Sequence, residues 1–171
     1  MIRRLQPPVT STRGFTMVET AVSTLLVGLL LVGALRTAGS SMLAQNQSMR
    51  RAQATALADS LMTDILGKSY MEPGTTASAI TRESGESSTS KVTYDDVDDF
   101  NQWQEQPPQA ADGTALSDLS GWRRKVLVSW VSVSGTTIGS SSTESNIKQV
   151  TVQVFFNGAL VLSRIALATN S

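Results

Sequence analysis

The 171-residue chain carries 14 basic and 14 acidic side chains and contains neither histidine nor cysteine. Without these residues there is no Ser-His-Asp or Cys-His catalytic site, no disulfide staple and no thiol chemistry. The balanced charge argues against a nucleic-acid surface, and the length suits one membrane helix followed by one small domain.

The first 14 residues hold Arg3, Arg4 and Arg13, no acid, and no apolar stretch of secretory-signal length. Phe15 to Leu35 then forms an apolar run of 21 residues. At about 1.5 Å per residue it matches the ~30 Å hydrocarbon core of a bilayer. The arginines favour the cytoplasmic side, which places the rest of the chain across the membrane. Glu19 is the one charged residue inside the run. A carboxylate at membrane depth costs about 2.5–3.5 kcal/mol on insertion scales, so it requires a partner or a proton. Gly14 lets a protease approach the backbone closely, and cleavage there would make Phe15 a cationic N-terminus. In a bundle of such helices Glu19 would pair with the Phe15 amine of a neighbour, in a geometry that sets register more than stability. The alternative is a Glu19 that sits at the headgroup boundary of a plain anchor.

Gly14-Phe15-Thr16-Met17-Val18-Glu19 resembles the cleavage and methylation motif of type IV pilins and type II secretion pseudopilins. The resemblance covers the basic leader and the first helix. It implies that a prepilin peptidase cuts after Gly14, that Phe15 is N-methylated, and that Glu19 guides assembly. It also implies a pilin-like α+β fold, in which the second half of a long N-terminal helix packs on a small antiparallel sheet. The implied partners are the peptidase, other pilin or pseudopilin subunits, the inner-membrane assembly platform and membrane lipid. Many major pilins carry a proline where this chain has Arg36, which leans the resemblance toward a minor pilin or a pseudopilin. The implied location is the bacterial inner membrane, crossed once, with the C-terminal domain periplasmic.

Past Arg36 the pattern stays helical and becomes amphipathic. Ala54, Leu57, Ala58, Leu61 and Ile65 fall on one face of a 3.6-residue period, and Gly67-Lys68 is a stop signal. The spacing predicts a continuous helix from Phe15 to about Gly67, free of proline and so of a proline kink. The organisation is therefore a leader at 1–14, an apolar half-helix at 15–36, an amphipathic half at 37–68 and a β-rich domain at 69–171.

Glu72 to Ser90 reads as a polar connecting loop, and Gly135 to Ser145 as a flexible Ser/Thr/Gly segment. Lys125 to Ser134 alternates and then changes phase, which predicts a strand with a bulge. Gln149 to Phe156 alternates, Asn157-Gly158 is a type I′ turn signal, and Ala159 to Leu167 returns. The expected sheet is three-stranded and antiparallel, with its apolar face over the helix stripe. Trp122-Arg123-Arg124-Lys125 reads as a solvated, charged strand edge, with recognition of an acidic partner as its alternative.

Tyr94-Asp95-Asp96-Val97-Asp98-Asp99-Phe100 gathers four carboxylates in five positions. It is similar to an acidic stretch of some minor pilins of the mannose-sensitive haemagglutinin type. The plain reading is an acidic turn whose Asp side chains bind nearby amides, with Tyr94 and Phe100 packed inside. The chemical alternative is Ca²⁺ held by Asp95, Asp96, Asp98 and Asp99, although the spacing is not that of an EF-hand. No other cofactor is expected, and no nucleophile–base pair or phosphate loop suggests an enzyme. Two functions compete: a filament subunit, and a stand-alone membrane-tethered periplasmic binding domain.

Overall fold

A computed structural model describes residues 14–74 and 79–170. The basic leader expected at 1–14 lies, except for Gly14, outside the described residues. The fold is α+β: one long apolar N-terminal helix followed by a five-stranded antiparallel sheet, loosely pilin-like in layout. Two compact units are distinguished, Met1–Asn46 and Gln47–Ser171.

Helix α1 spans Met17–Leu66. It contains no proline and ends where the Gly67 amide reaches the Thr63 carbonyl at 3.1 Å, with glycine immediately after the last helical residue as the stop signal required. In the first unit its apolar side chains, among them Val18, Leu25, Leu30 and Leu35, are exposed. Hydroxyls in this segment bond back to the helix: Thr20 Oγ1 donates to the Thr16 carbonyl at 3.1 Å, and Thr24 Oγ1 to the Ala21 carbonyl at 2.9 Å. Such internal bonds remove the need for water at these positions. This is the one helix among the described residues that is long and apolar enough to cross a membrane.

In the second unit the helix buries Ala54, Leu57, Ala58, Leu61, Met62 and Ile65. These are the five stripe residues with Met62 added, and each large member stabilises the fold by about 1.5–3 kcal/mol through burial. The sheet runs β1-β2-β4-β5, with β3 also paired to β2. Its strands are β1 Gln104–Glu105, β2 Trp122–Ser134, β3 Thr137–Ser140, β4 Ile147–Phe156 and β5 Ala159–Thr169. Val126 faces Val152, and Val128 faces Val150. This valine layer, Val154 and Trp122 join the helix stripe in one core.

Three details differ from the sequence reading. The expected three strands are five, because β1 is too short to show a period and Gly135-Thr136 turns β2 back into β3. Gly135 holds φ 61, a conformation glycine adopts without steric cost. The phase change in β2 is an exchange of partners rather than a bulge: the strand pairs with β4 as far as Trp130, then with β3 from Val131. The register shift of the sheet lies instead between β4 and β5, at Val154/Phe155. The Asn157-Gly158 turn is as predicted, with φ 47 and 83 at its two residues.

The third difference concerns Trp122-Arg123-Arg124-Lys125, which is no solvated edge. β2 lies inside the sheet, and alternation puts Trp122 and Arg124 on the core face. Arg124 is 1% exposed. It donates to the Leu57 carbonyl of α1 at 2.9 Å and the Gln109 carbonyl at 2.5 Å, and pairs with Glu105. Arg123, on the other face, stacks over Phe155 at 4.3 Å.

Candidate functional site

Two regions carry the residues singled out by sequence, one in each unit. In the first unit Gly14 and Phe15 are exposed and precede α1 directly. Glu19 lies in the first turn. Its amide donates to Thr16 Oγ1 at 3.2 Å, while the Thr16 carbonyl accepts the Thr20 amide at 3.1 Å. Thr16 is therefore the N-cap of the helix, and Thr16-Met17-Val18-Glu19 has the capping-box pattern. Sequence reasoning passed over this second role, although the Thr-x-x-Glu spacing announces it. The carboxylate also sits where a helix N-terminus favours negative charge.

In the second unit the acidic segment folds as a tight turn. Tyr94 and Phe100 are buried and meet edge to face at 5.0 Å, with Trp103 at 5.4 Å from Tyr94. The segment is fastened on three sides. Ser69 forms a short parallel bridge with Asp96, its amide donating to the Asp95 carbonyl at 3.1 Å and its carbonyl accepting the Val97 amide at 3.0 Å. Lys68 Nζ donates to the Tyr94 carbonyl at 2.6 Å. The Val126 and Val128 amides of β2 reach the Trp103 carbonyl and Asn101 Oδ1 at 2.8 and 3.2 Å.

The four aspartates have separate fates. Asp95 is exposed. Asp98 turns to the sheet, where Oδ2 pairs with Lys148 at 2.7 Å. Asp96 Oδ1 accepts the amides of Asp98 and Asp99 at 2.6 and 3.2 Å. Asp99 Oδ2 accepts those of Asp95 and Asp96 at 3.1 and 3.2 Å. The remaining oxygens, Asp96 Oδ2, Asp98 Oδ1 and Asp99 Oδ1, are buried with no hydrogen-bond partner among the described residues.

Asp96 and Asp99 are brought together with three glutamates that the sequence reading left in a connecting loop. Glu72, Glu83 and Asp96 present carboxylate oxygens within 4.8 Å of one another, as do Glu83, Glu86 and Asp99. Asp95 and Asp98 belong to neither group. Burial first, then the neighbouring Asp99 carboxylate, pushes Glu86 up to about 8. Burial with Asp99 and Asp98 pushes Asp96 up to about 7. Glu72 and Glu83 are raised in the same direction, by burial and by adjoining acids. The only signal of this convergence in the sequence was three glutamates in a short stretch otherwise rich in Ser, Thr and Gly.

No known protein family, curated protein or solved structure matches the chain.

Proposed function

We propose that the chain is a structural subunit of a type IV pilus or type II secretion-like filament, a minor pilin or pseudopilin assembled through its N-terminal helix. The observation that carries this reading is the position of Gly14-Phe15 and Glu19 at the start of a helix whose apolar side chains, from Met17 to Leu35, are exposed. A lipid bilayer or a bundle of identical helices would cover that surface. Prepilin peptidase would cut after Gly14, and the methylated amine of Phe15 would meet Glu19 of an adjacent subunit. The sheet domain would stand on the periplasmic side, as the arginines of the leader favour the cytoplasmic side for the N-terminus.

The first test is the intact mass and N-terminal sequence of the protein from its native membrane. A chain beginning at methylated Phe15 supports the proposal, and one beginning at Met1 refutes the processing step. The second test separates pairing from capping. Under the proposal Glu19→Ala blocks incorporation into a filament while membrane insertion persists, whereas Thr16→Ala, which removes only the cap, leaves assembly largely intact. Equal defects in both variants would reduce Glu19 to a helix-capping residue. A tethered binding domain acting alone is the second reading, favoured by the carboxylate cluster at Glu83. It takes the lead if processing is absent.

A further inference from the structure

We propose that Glu72, Glu83, Glu86, Asp96 and Asp99 form a Ca²⁺ site centred on Glu83, which joins two connecting segments to the acidic turn. This inference is independent of the filament reading.

The donor set is all oxygen, as a hard cation requires. Ca²⁺ binds oxygens at about 2.3–2.6 Å, so two ligands on opposite sides of one ion stand roughly 4.6–5.2 Å apart, whereas Mg²⁺ holds them to about 4.0–4.2 Å. The oxygens of each carboxylate trio lie within 4.8 Å of one another, close enough to share one ion of either kind, and Glu83 belongs to each trio. The irregular placement of donors on loops suits the flexible coordination of Ca²⁺ better than the strict octahedron of Mg²⁺.

A cluster of acids alone would not distinguish a site from a solvated acidic surface. The deciding observation is the state of the two aspartates. Asp96 is 1% exposed and Asp99 is 0% exposed. Each has one oxygen fixed by two backbone amides, and the other is buried with no hydrogen-bond donor among the described residues. The amide bonds lock the side-chain orientation, and the carboxyl groups gathered beside them are further acids, Glu72 and Glu83 next to Asp96, and Glu83 and Glu86 next to Asp99. Buried carboxylate oxygens are normally satisfied, and leaving one bare costs free energy. A divalent ion held beside Glu83 would satisfy such an oxygen and offset the repulsion between the carboxylates.

The test uses the full-length protein in detergent, stripped with EDTA and titrated with CaCl₂ by calorimetry, with thermal melts alongside. Saturable binding and a rise in Tm of roughly 5 °C or more at saturating Ca²⁺ are expected. Glu83→Gln/Glu86→Gln should melt cooperatively without Ca²⁺ and lose the response to it. Should that pair fail to fold, Glu86→Gln alone is expected to weaken Ca²⁺ binding at least tenfold. Glu19→Ala should bind Ca²⁺ as the wild type does, which keeps this result separate from the fate of the filament reading. Absence of binding heat and of any Tm shift at 10 mM Ca²⁺ overturns the proposal, as does an unchanged response in the glutamate variants. Equal affinity for Mg²⁺ overturns the choice of ion.

Discussion

Lys148, on the core face of β4, holds its ammonium 2.7 Å from Asp98 Oδ2, with both side chains buried. The same ammonium donates to the Tyr70 carbonyl and lies 4.0 Å from the centroid of the Tyr70 ring. One cation thus joins the sheet to the acidic turn and to the segment that leaves α1. Lys148→Met would leave Asp98 buried and uncompensated, and is expected to destabilise the domain by about 3–5 kcal/mol. Asp98→Asn/Lys148→Met should recover much of that loss, because no lone charge remains. Chemical denaturation of the two variants measures both, and a double variant as unstable as the single one would refute the coupling.

Arg124 and Arg123 are adjacent in sequence and opposite in consequence. Arg124→Leu removes three bonds that link β2 to α1, Glu105 and Gln109, and strands the Glu105 carboxylate in the core. A loss of about 3–5 kcal/mol is expected. Arg123→Ala removes an exposed-face stacking contact over Phe155 and should cost about 1 kcal/mol or less. Urea midpoints for the pair test the assignment of faces, which fails if the two losses are equal.

Acid should find the Tyr70–Glu144 contact. Burial pushes Glu144 up, but the Tyr70 hydroxyl, the Asn146 amide, the Lys148 charge and the Ser145 amide outweigh it and hold the carboxyl below its usual range. The Tyr70 hydroxyl lies 2.6 Å away, and burial with Glu144 raises its own pKa, so it remains a neutral donor. A depressed carboxyl contributes stability that is complete above its unfolded pKa of about 4.3–4.5 and is lost as pH falls through the folded value. Glu144→Gln should therefore be less stable than wild type at pH 7, with the gap closing below pH ~4.5. A gap that is constant from pH 7 to pH 3 would show that the charge contributes nothing.

The two halves of α1 should answer differently to the same substitution. Leu61 is 0% exposed in the core, and Leu61→Ala is expected to cost about 2–5 kcal/mol of domain stability. Leu30 is exposed, so Leu30→Ala should leave the melting of the sheet domain unchanged in detergent. Under the filament proposal it would instead weaken assembly, read by the amount of pilus or pseudopilus sheared from cells. A fall in domain Tm with Leu30→Ala would place that side chain in a folded core.

The sequence by itself determined what depends on local periodicity. A proline-free apolar run followed by Ala54, Leu57, Ala58, Leu61 and Ile65 at helical spacing can only be a long helix with one core face. Alternation up to Phe156 and the Asn157-Gly158 pair determined the β4–β5 hairpin, since both turn residues must take positive φ. The acidic turn was legible too, because aspartates bind amides two to four residues away, within the reach of sequence. Tertiary structure decided what depends on pairing between distant segments. Arg124 reads as a surface charge until the register of β2 places it opposite Val154 and under α1. Glu72, Glu83 and Glu86 read as loop residues until the Ser69–Asp96 bridge and the core contacts of Tyr94 and Phe100 set the turn beside them. Asp98 separates from Asp96 and Asp99 because Lys148, 50 residues away in sequence, draws it toward the sheet. Local spacing fixes which face a side chain occupies on its own element, but only the fold supplies the opposite charge, or the lack of one, that gives it a role.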